Sequence, residues 1–451
     1  MSAVLLQIQQ HPSLIAIGVL VMGAVVVLLG VDVVSRRPVL AGLLGGLFAV
    51  AAAVATAVVT TAVRVQAPQP LGGLAVVALC GVACIALLLL PVLDAEVPDH
   101  VAEAAALLLL GTSGAVALAS ATDLLQAVVG LETLALSAVV LVALGAGDRS
   151  LEAAFKYFVL GAVSLAGLLY GLGLVYLGTG SFGFPSAAQM TGNPLILAGV
   201  VLVGMGFAFE LALFPFHWGA LDAYTGAVPS LAGFLMSASK LAAAFALARL
   251  VQGAGVELAQ LLVWVGSLTI IWGTFGALAQ AANIRRMLAY SAITHAGFIG
   301  LALGSGPNGP PTAVFYAAIY GSMAMLVFAA LAGGRAADLR TLGRLRAIAL
   351  GLGLFSLSGI PPTPGFWAKL AVLVVAWSAA GPLPTLIAVA GGVFSVLYYL
   401  RPLPDLFAAL RGDSADLSSR ALVVPGVILA TVAVVGLGVF PGIVWTLARF
   451  G

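Results

Sequence analysis

The chain has 451 residues, of which 62% are hydrophobic and 8% charged, with a formal net charge of +2. Soluble domains carry about 45–50% apolar and about 25% charged residues, because a water-facing surface needs the polar share. The composition excludes a soluble enzyme, a nucleic-acid binder and a disordered chain. It fits an all-α polytopic membrane protein, since a transmembrane barrel would show short alternating strands instead of long apolar runs.

A run of about 20 apolar residues crosses a bilayer core. Such runs fall near 13–33, 38–63, 71–93, 101–121, 123–145, 151–178, 194–218, 227–251, 256–280, 286–304, 312–333, 345–379, 383–402 and 421–446, which makes fourteen expected spans. Met1–Gln10 lacks the basic start and small-residue cleavage site of a signal peptide, so the first span is expected to be retained. Cys80 and Cys84 share a helix face, but no further cysteine completes a metal or cluster site, and they read as small apolar residues. The link at Thr122–Asp123 is the weakest division, and the longest polar links lie at 335–346 and 401–420.

Arginine placement tests the count. Links after odd-numbered spans hold Arg36, Arg37, Arg149, Arg285, Arg286, Arg335, Arg340, Arg344, Arg346, Arg401, Arg411 and Arg420, whereas the other side holds Arg64, Arg249 and Arg449. Cytoplasmic links carry the excess of Lys and Arg. Both termini are therefore expected on the non-cytoplasmic side.

Two spans are interrupted by proline: the seventh at Phe214-Pro215-Phe216-His217, and the twelfth at Gly359-Ile360-Pro361-Pro362. Proline removes a backbone donor, and freed carbonyls in lipid must find protein or water partners. Paired breaks in corresponding halves point to a transporter built from inverted repeats. The expected organisation is a three-helix segment 1–99, a first repeat 100–252 (spans 4–8), a second, inverted repeat 253–403 (spans 9–13), and a final helix in 404–451. Two unrelated kinks are the alternative.

Five ionisable groups lie deep in the spans: Glu132, Lys156, Glu210, Lys240 and Lys369. Each costs about 2.5–3.5 kcal/mol at mid-bilayer, a cost that leucine at the same position would not carry. The three lysines of the chain all fall inside apolar segments, whereas the solvated basic positions in the links are arginine. A guanidinium stays charged under essentially all conditions, but a desolvated ammonium can release its proton. The lysines therefore read as proton-exchanging sites. Glu132 and Lys156 belong to consecutive spans, so an ion pair between them is expected; Lys156 is also near enough to a link to snorkel.

Among the histidines, His295 lies mid-span among hydroxyls and reads either as a proton relay or as a group bonded to a backbone carbonyl. His217 follows Pro215 and is expected to cap the broken helix. His100 marks a span edge, and His11 carries no signal. No nucleotide loop, CxxC or HExxH is visible, and the 55 glycines are scattered in helices, as close transmembrane packing requires. Any electron transfer would occur on another chain.

Several stretches resemble a known family: Gly130-Leu131-Glu132-Thr133-Leu134, Ala153-Ala154-Phe155-Lys156-Tyr157-Phe158, Phe214-Pro215-Phe216-His217, Ser237-Ala238-Ser239-Lys240, Arg286-Met287-Leu288-Ala289-Tyr290-Ser291, and Gly359-Ile360-Pro361-Pro362 through Gly365-Phe366-Trp367-Ala368-Lys369. Together they resemble the antiporter-like membrane subunits of bacterial NADH–quinone oxidoreductase (complex I), subunit N above all. The resemblance implies fourteen helices, two inverted five-helix repeats with breaks in helices seven and twelve, and proton translocation driven by quinone reduction elsewhere. It implies that Glu132 matches the carboxylate of helix five, Lys240 the central lysine of helix eight, and Lys369 the lysine after the second break. NADH, FMN, Fe–S clusters and quinone are implied on partner subunits and no cofactor on this chain. The implied partners are other antiporter-like and small membrane-arm subunits and the bilayer of a bacterial inner membrane.

One departure stands out. The family normally carries a lysine where this chain has Glu210, and that lysine is the usual partner of the helix-five carboxylate. Two nearby carboxylates would share one proton, unless Lys156 or Lys240 replaces the counter-charge. The family's proline before the aspartate is also missing, with Leu221 preceding Asp222. A working variant and a diverged, non-pumping structural copy both remain open here. So does a subunit of a multi-subunit Na⁺/H⁺ antiporter or a membrane-bound hydrogenase.

Overall fold

The structure, a computed structural model, describes residues 11–62, 70–92, 100–145, 147–253, 256–333, 339–411, 420–442 and 444. Arg64, Arg335, Arg449 and the Met1–Gln10 start lie outside the described residues, as does the side chain of Arg420. The fourteen expected segments are all helical. We number them α1 (Ser13–Leu29), α2 (Pro38–Ala62), α3 (Pro70–Leu88), α4 (Val101–Ala119), α5 (Leu124–Ala143), α6 (Asp148–Thr179) and α7 (Pro194–Leu211, then Trp218–Gly226). They continue with α8 (Pro229–Gly253), α9 (Val256–Ala279), α10 (Ile284–Leu303), α11 (Gly309–Leu331), α12 (Arg344–Ser358, then Pro364–Ala379), α13 (Pro382–Leu400) and α14 (Arg420–Val439). Among the described residues there is no strand, only an isolated bridge between Asp123 and Gly183.

Among the described residues, ten helices are long and apolar enough to cross a membrane by themselves, and three shorter ones, including the second half of α12, are apolar. α10 and the first half of α12 meet neither description: they open on Arg285-Arg286 and on Arg344 and Arg346, which dilute their apolar character.

Local chemistry sets the boundaries. At the short α4–α5 division, Asp123 accepts from the Gln126 amide at 2.8 Å, while the Gln126 side chain accepts from the Thr122 amide at 3.1 Å. Asp123 satisfies an amide that the helix start leaves orphaned and Gln126 ties back the residue before it, so four residues, 120–123, suffice to separate the helices. α6 runs for 32 residues, about 48 Å at 1.5 Å per residue, and stops where Gly180 takes a left-handed conformation at φ 70°.

The core is central and polar-tipped. α8 and α11 pack against each other in the middle, and every residue of α8 from Pro229 to Ala248 is buried. The internal repeat is visible in matched contacts: α4 packs on α5 and α8 as α9 packs on α10 and α13. Both leading pairs approach through facing glycines. A methyl on Gly114 would come within 2.8 Å of the Gly130 carbonyl and one on Gly130 within 2.9 Å of Gly114, and the same reciprocity links Gly266 and Gly297 at 2.9 and 2.8 Å. Small residues at such crossings let backbones meet where lipid offers no hydrophobic drive. With five spans in each unit, the second repeat runs in the opposite direction to the first.

Candidate functional site: a buried polar line

The two helix breaks organise the site. The first half of α7 ends at Leu211, followed by Ala212 with φ 64°, and that of α12 ends at Ser358, followed by Gly359 with φ 84°. A cis peptide lies in each break, at Phe214-Pro215 and Pro361-Pro362. Pro215, Pro361 and Pro362 face outward. The Phe214 amide freed at the first break donates to Thr269 Oγ1 of α9 at 2.9 Å, so the second repeat repairs the first.

Lys240, fully buried on α8, donates to the carbonyl of Leu211 at 3.0 Å and to Tyr224 Oη at 3.4 Å, with its ammonium 5.3 Å from the Tyr224 ring centre. Lys369, on the second half of α12, donates to the carbonyl of Ser358 at 2.7 Å and to Ser395 Oγ at 3.0 Å. Carbonyls at a helix carboxyl end carry about half a negative charge, so each ammonium is stabilised without a carboxylate in contact.

Glu132 on α5 and Glu210 on α7 line one cavity of about 290 Å³, together with Tyr157, Ser164 and apolar side chains of α5, α6 and α7. Glu210 is 2% exposed; its Oε2 accepts from Tyr157 Oη at 3.4 Å, and its Oε1 has no hydrogen-bond partner. Lys240 and Glu132 are both close enough to act on it electrostatically. Of the two counter-charges considered for Glu210, the structure thus brings Lys240 near it.

His295, 1% exposed on α10, is held by two tyrosines: Nδ1 pairs with Tyr316 Oη at 2.7 Å and Nε2 with Tyr399 Oη at 3.1 Å. Tyr399 continues to Ser291 through a short hydrogen bond. The backbone carbonyl expected as the alternative partner of His295 is not what the fold supplies; both ring nitrogens meet hydroxyls. Lys240 and Lys369 both lie within electrostatic reach of His295. Glu132, Glu210, Lys240, His295 and Lys369 thus succeed one another from the first repeat into the second.

Two expectations need correction. Lys156 does not pair with Glu132. It is 48% exposed and bonded to Glu152 at 2.6 Å and Asp222 at 3.7 Å, because α6 starts three residues before its apolar run and carries Lys156 on its outer face near that start. Asp222 also binds Arg286 at 2.8 Å, forming a surface cluster. His217 occupies the N-cap position of the second half of α7, but its side chain makes no capping bond. It is fully buried against Phe214, Trp218 and Trp272, with neither ring nitrogen hydrogen-bonded. Of the other groups, His100 is exposed at the start of α4 and the cysteines are free thiols.

Sequence reasoning missed the tyrosines 157, 224, 316 and 399. Their signal was present: a hydroxyl-tipped ring deep in an apolar span needs a polar partner.

With this geometry in hand, similarity is informative. Residues 121–395 match the family described as NADH:quinone oxidoreductase/Mrp antiporter, TM. NADH-quinone oxidoreductase subunit N of Deinococcus radiodurans is 34% identical over 76% of this chain and 74% of its own length. The chain belongs to the NADH-quinone oxidoreductase subunit N family. The same subunit of Methylobacterium nodulans is 39% identical over 65% of each chain, so this family member spans just under two thirds of that relative. Among solved structures, a chain of respiratory complex I from Thermus thermophilus is 27% identical, with a TM-score of 0.80 over 97% of this chain and 100% of that one. A chain of the Mrp complex from Dietzia shares the fold, with a TM-score of 0.82 at 20% identity over 98% of this chain and 96% of its own. The family places the chain as a multi-span membrane subunit of complex I.

Proposed function

We propose that this subunit translocates protons through Glu132, Glu210, Lys240, His295 and Lys369, driven by quinone reduction on partner subunits. The observation that carries the reading is the matched seating of two buried lysines, Lys240 and Lys369, on the carbonyls of broken helices. A lysine so seated can give up its proton and take one back without its carrier position moving, because the helix end stabilises the charged form and the apolar walls oppose it. His295, bonded at both nitrogens, can receive at one and release at the other as its tyrosine hydroxyls turn. Hydration of the Glu132–Glu210 cavity would supply the first repeat.

The wider assignments belong to the same proposal. The repeats are 100–252 and 253–403, the termini face away from the cytoplasm of a bacterial cell, and the neighbours are other membrane-arm subunits. NADH, FMN, Fe–S clusters and quinone act on those partners, and none of this chemistry is assigned to residues of this chain.

The test is quinone-linked proton uptake by vesicles carrying the complex, with Lys240→Met and Glu132→Gln. Loss of uptake in an assembled complex supports the path; full uptake in both removes it. A second reading, a structural subunit without a path, is favoured by the unpartnered Oε1 of Glu210. Under that reading Glu210→Lys raises uptake.

A further inference from the structure

Two adjoining cavities open on the arginine-bearing face of the molecule. One, of about 400 Å³, is lined by Arg149, Lys156, Arg285 and Arg286 against Glu152 and Asp222. The other, of about 670 Å³, is lined by Arg285, Arg401 and Asp405, and Asn283 and Arg285 are common to both.

The carboxylates in this groove are already engaged. Glu152 binds Lys156, Asp222 binds Arg286, and Asp405 binds Arg340 at 2.8 Å. Arg149 and Arg401 are exposed at opposite ends of the groove and make no ion pair among the described residues. The groove therefore presents uncompensated guanidinium groups, whose forked donors match phosphate oxygens.

Beyond the first cavity, α6 presents Val159, Leu160 and Val163, which are 41%, 40% and 69% exposed. They follow Lys156, which lines that cavity, by three, four and seven residues, so they share its helix face. Arg149, at the start of the same helix, stands at the level of the groove, and the apolar side chains follow from there into the span. A basic pocket with an apolar stripe leading from it is complementary to an amphiphile whose head is anionic and whose tail is hydrocarbon. A free anion would use the pocket and leave the stripe uncovered.

We propose that this paired groove binds the phosphate headgroup of an anionic phospholipid, with an acyl chain lying along Val159, Leu160 and Val163 of α6. Basic pockets between transmembrane helices on the positively charged side are suited to such heads. The proposal does not depend on the proton path, because neither Arg149 nor Arg401 belongs to it.

The experiment uses the membrane complex containing this chain, stripped of lipid in detergent. Rebinding is followed by native mass spectrometry with phosphatidylglycerol, phosphatidylcholine or inorganic phosphate as the probe. The double variant R149Q/R401Q, with both changes at exposed positions, is compared with R36Q/R37Q on another exposed link. The expected result is that R149Q/R401Q weakens phosphatidylglycerol binding by about tenfold, while R36Q/R37Q leaves it unchanged. Three results would overturn the proposal: undiminished binding in R149Q/R401Q, equal loss in R36Q/R37Q, or displacement of the lipid by phosphate or phosphatidylcholine at equal concentration. A cross-link from Arg149→Cys to an acidic segment of a neighbouring subunit would also overturn it, by filling the groove with protein.

Discussion

Lys240 and Lys369 occupy equivalent seats: the first donates to the Leu211 carbonyl at 3.0 Å and the second to the Ser358 carbonyl at 2.7 Å, each at the carboxyl end of a broken helix. The breaks are five spans apart, one in each repeat. A broken helix thus does for an ammonium what a carboxylate does elsewhere, with less charge and without a second titrating group.

If those seats carry exchangeable protons, the type of cation matters more than its presence. Lys240→Arg keeps the charge but not the ability to release a proton. It is expected to lower quinone-linked proton uptake about as far as Lys240→Met, roughly tenfold or more, equivalent to at least ~1.4 kcal/mol on a barrier. Lys240→Met exchanges a buried charge for an apolar chain of similar length, so assembly is expected to survive. Uptake retained by the arginine variant would mean that Lys240 acts only as a fixed charge.

Glu210 offers a test of charge balance. Glu210→Gln keeps an acceptor for Tyr157 and removes a charge whose second oxygen has no partner. The assembled complex is expected to gain on the order of 1 kcal/mol in stability, read as a higher unfolding temperature, while proton uptake falls. A loss of stability would instead show that Lys240 holds Glu210 as a net favourable ion pair.

Much of this was legible in the sequence, for identifiable reasons. Apolar run length located the fourteen helices, and Pro215 and Pro361-Pro362 located the breaks, because both are one-dimensional signals. Depth along the membrane was legible too, so the burial of Lys240, His295 and Lys369 followed from the sequence. Direction around a helix was not. Lys156 has a buried neighbour, Tyr157, and its own side chain points out to Glu152 and Asp222; nothing in a run of apolar residues distinguishes those two azimuths. His217 was placed correctly along the chain, but its cage includes Trp272 from α9, a contact between repeats that no local pattern carries.

The corrected position of Lys156 has a measurable consequence. Double-mutant cycles on stability are expected to give about 0.2–0.5 kcal/mol of coupling between Lys156→Met and Glu152→Gln, the range for an exposed pair one turn apart. Coupling between Lys156→Met and Glu132→Gln is expected to be indistinguishable from zero. A coupling to Glu132 larger than that to Glu152 would restore the pairing of consecutive spans.

The residues that follow the two first halves should shift stability in opposite directions, one by losing a methyl group and the other by gaining it. Ala212 is the positive-φ residue other than glycine among the described residues, at 64°, a conformation that costs an L-residue about 1–2 kcal/mol. Ala212→Gly is expected to recover up to about 1 kcal/mol. Gly359→Ala adds that cost at φ 84°, and its new methyl would stand 2.9 Å from Cδ of Lys369. The alanine therefore strains the turn and pushes the ammonium from its seat at once. The expected signature is a small rise in unfolding temperature for Ala212→Gly with uptake preserved, and a joint loss of stability and uptake for Gly359→Ala. If Gly359→Ala lost stability alone, the bond from Lys369 to Ser358 would be incidental to transport.

The facing glycines give a test of the repeat itself. Gly114 and Gly130 bring α4 onto α5, and Gly266 and Gly297 bring α9 onto α10, with any added methyl landing 2.8 or 2.9 Å from the partner's carbonyl oxygen. That oxygen is backbone and cannot swing aside, so the helices themselves must separate, and overpacking of this kind costs about 1–3 kcal/mol or more. Thr294 and Ser291 share α10 with Gly297, and Ser291 carries the hydroxyl chain to Tyr399 and His295. Gly297→Ala is therefore expected to shift the His295 cluster as well as to weaken the complex, whereas Gly130→Ala should act on α5 and hence on Glu132. Measured as proton uptake per assembled complex, both variants should lose activity beyond what their lower abundance explains. Gly199→Ala opposes Gly171 at 2.7 Å in the α6–α7 crossing, eleven residues and about 16 Å along the helix from Glu210, and should lower abundance alone. Equal specific activity in all three would mean that the crossings hold the fold without positioning the charges.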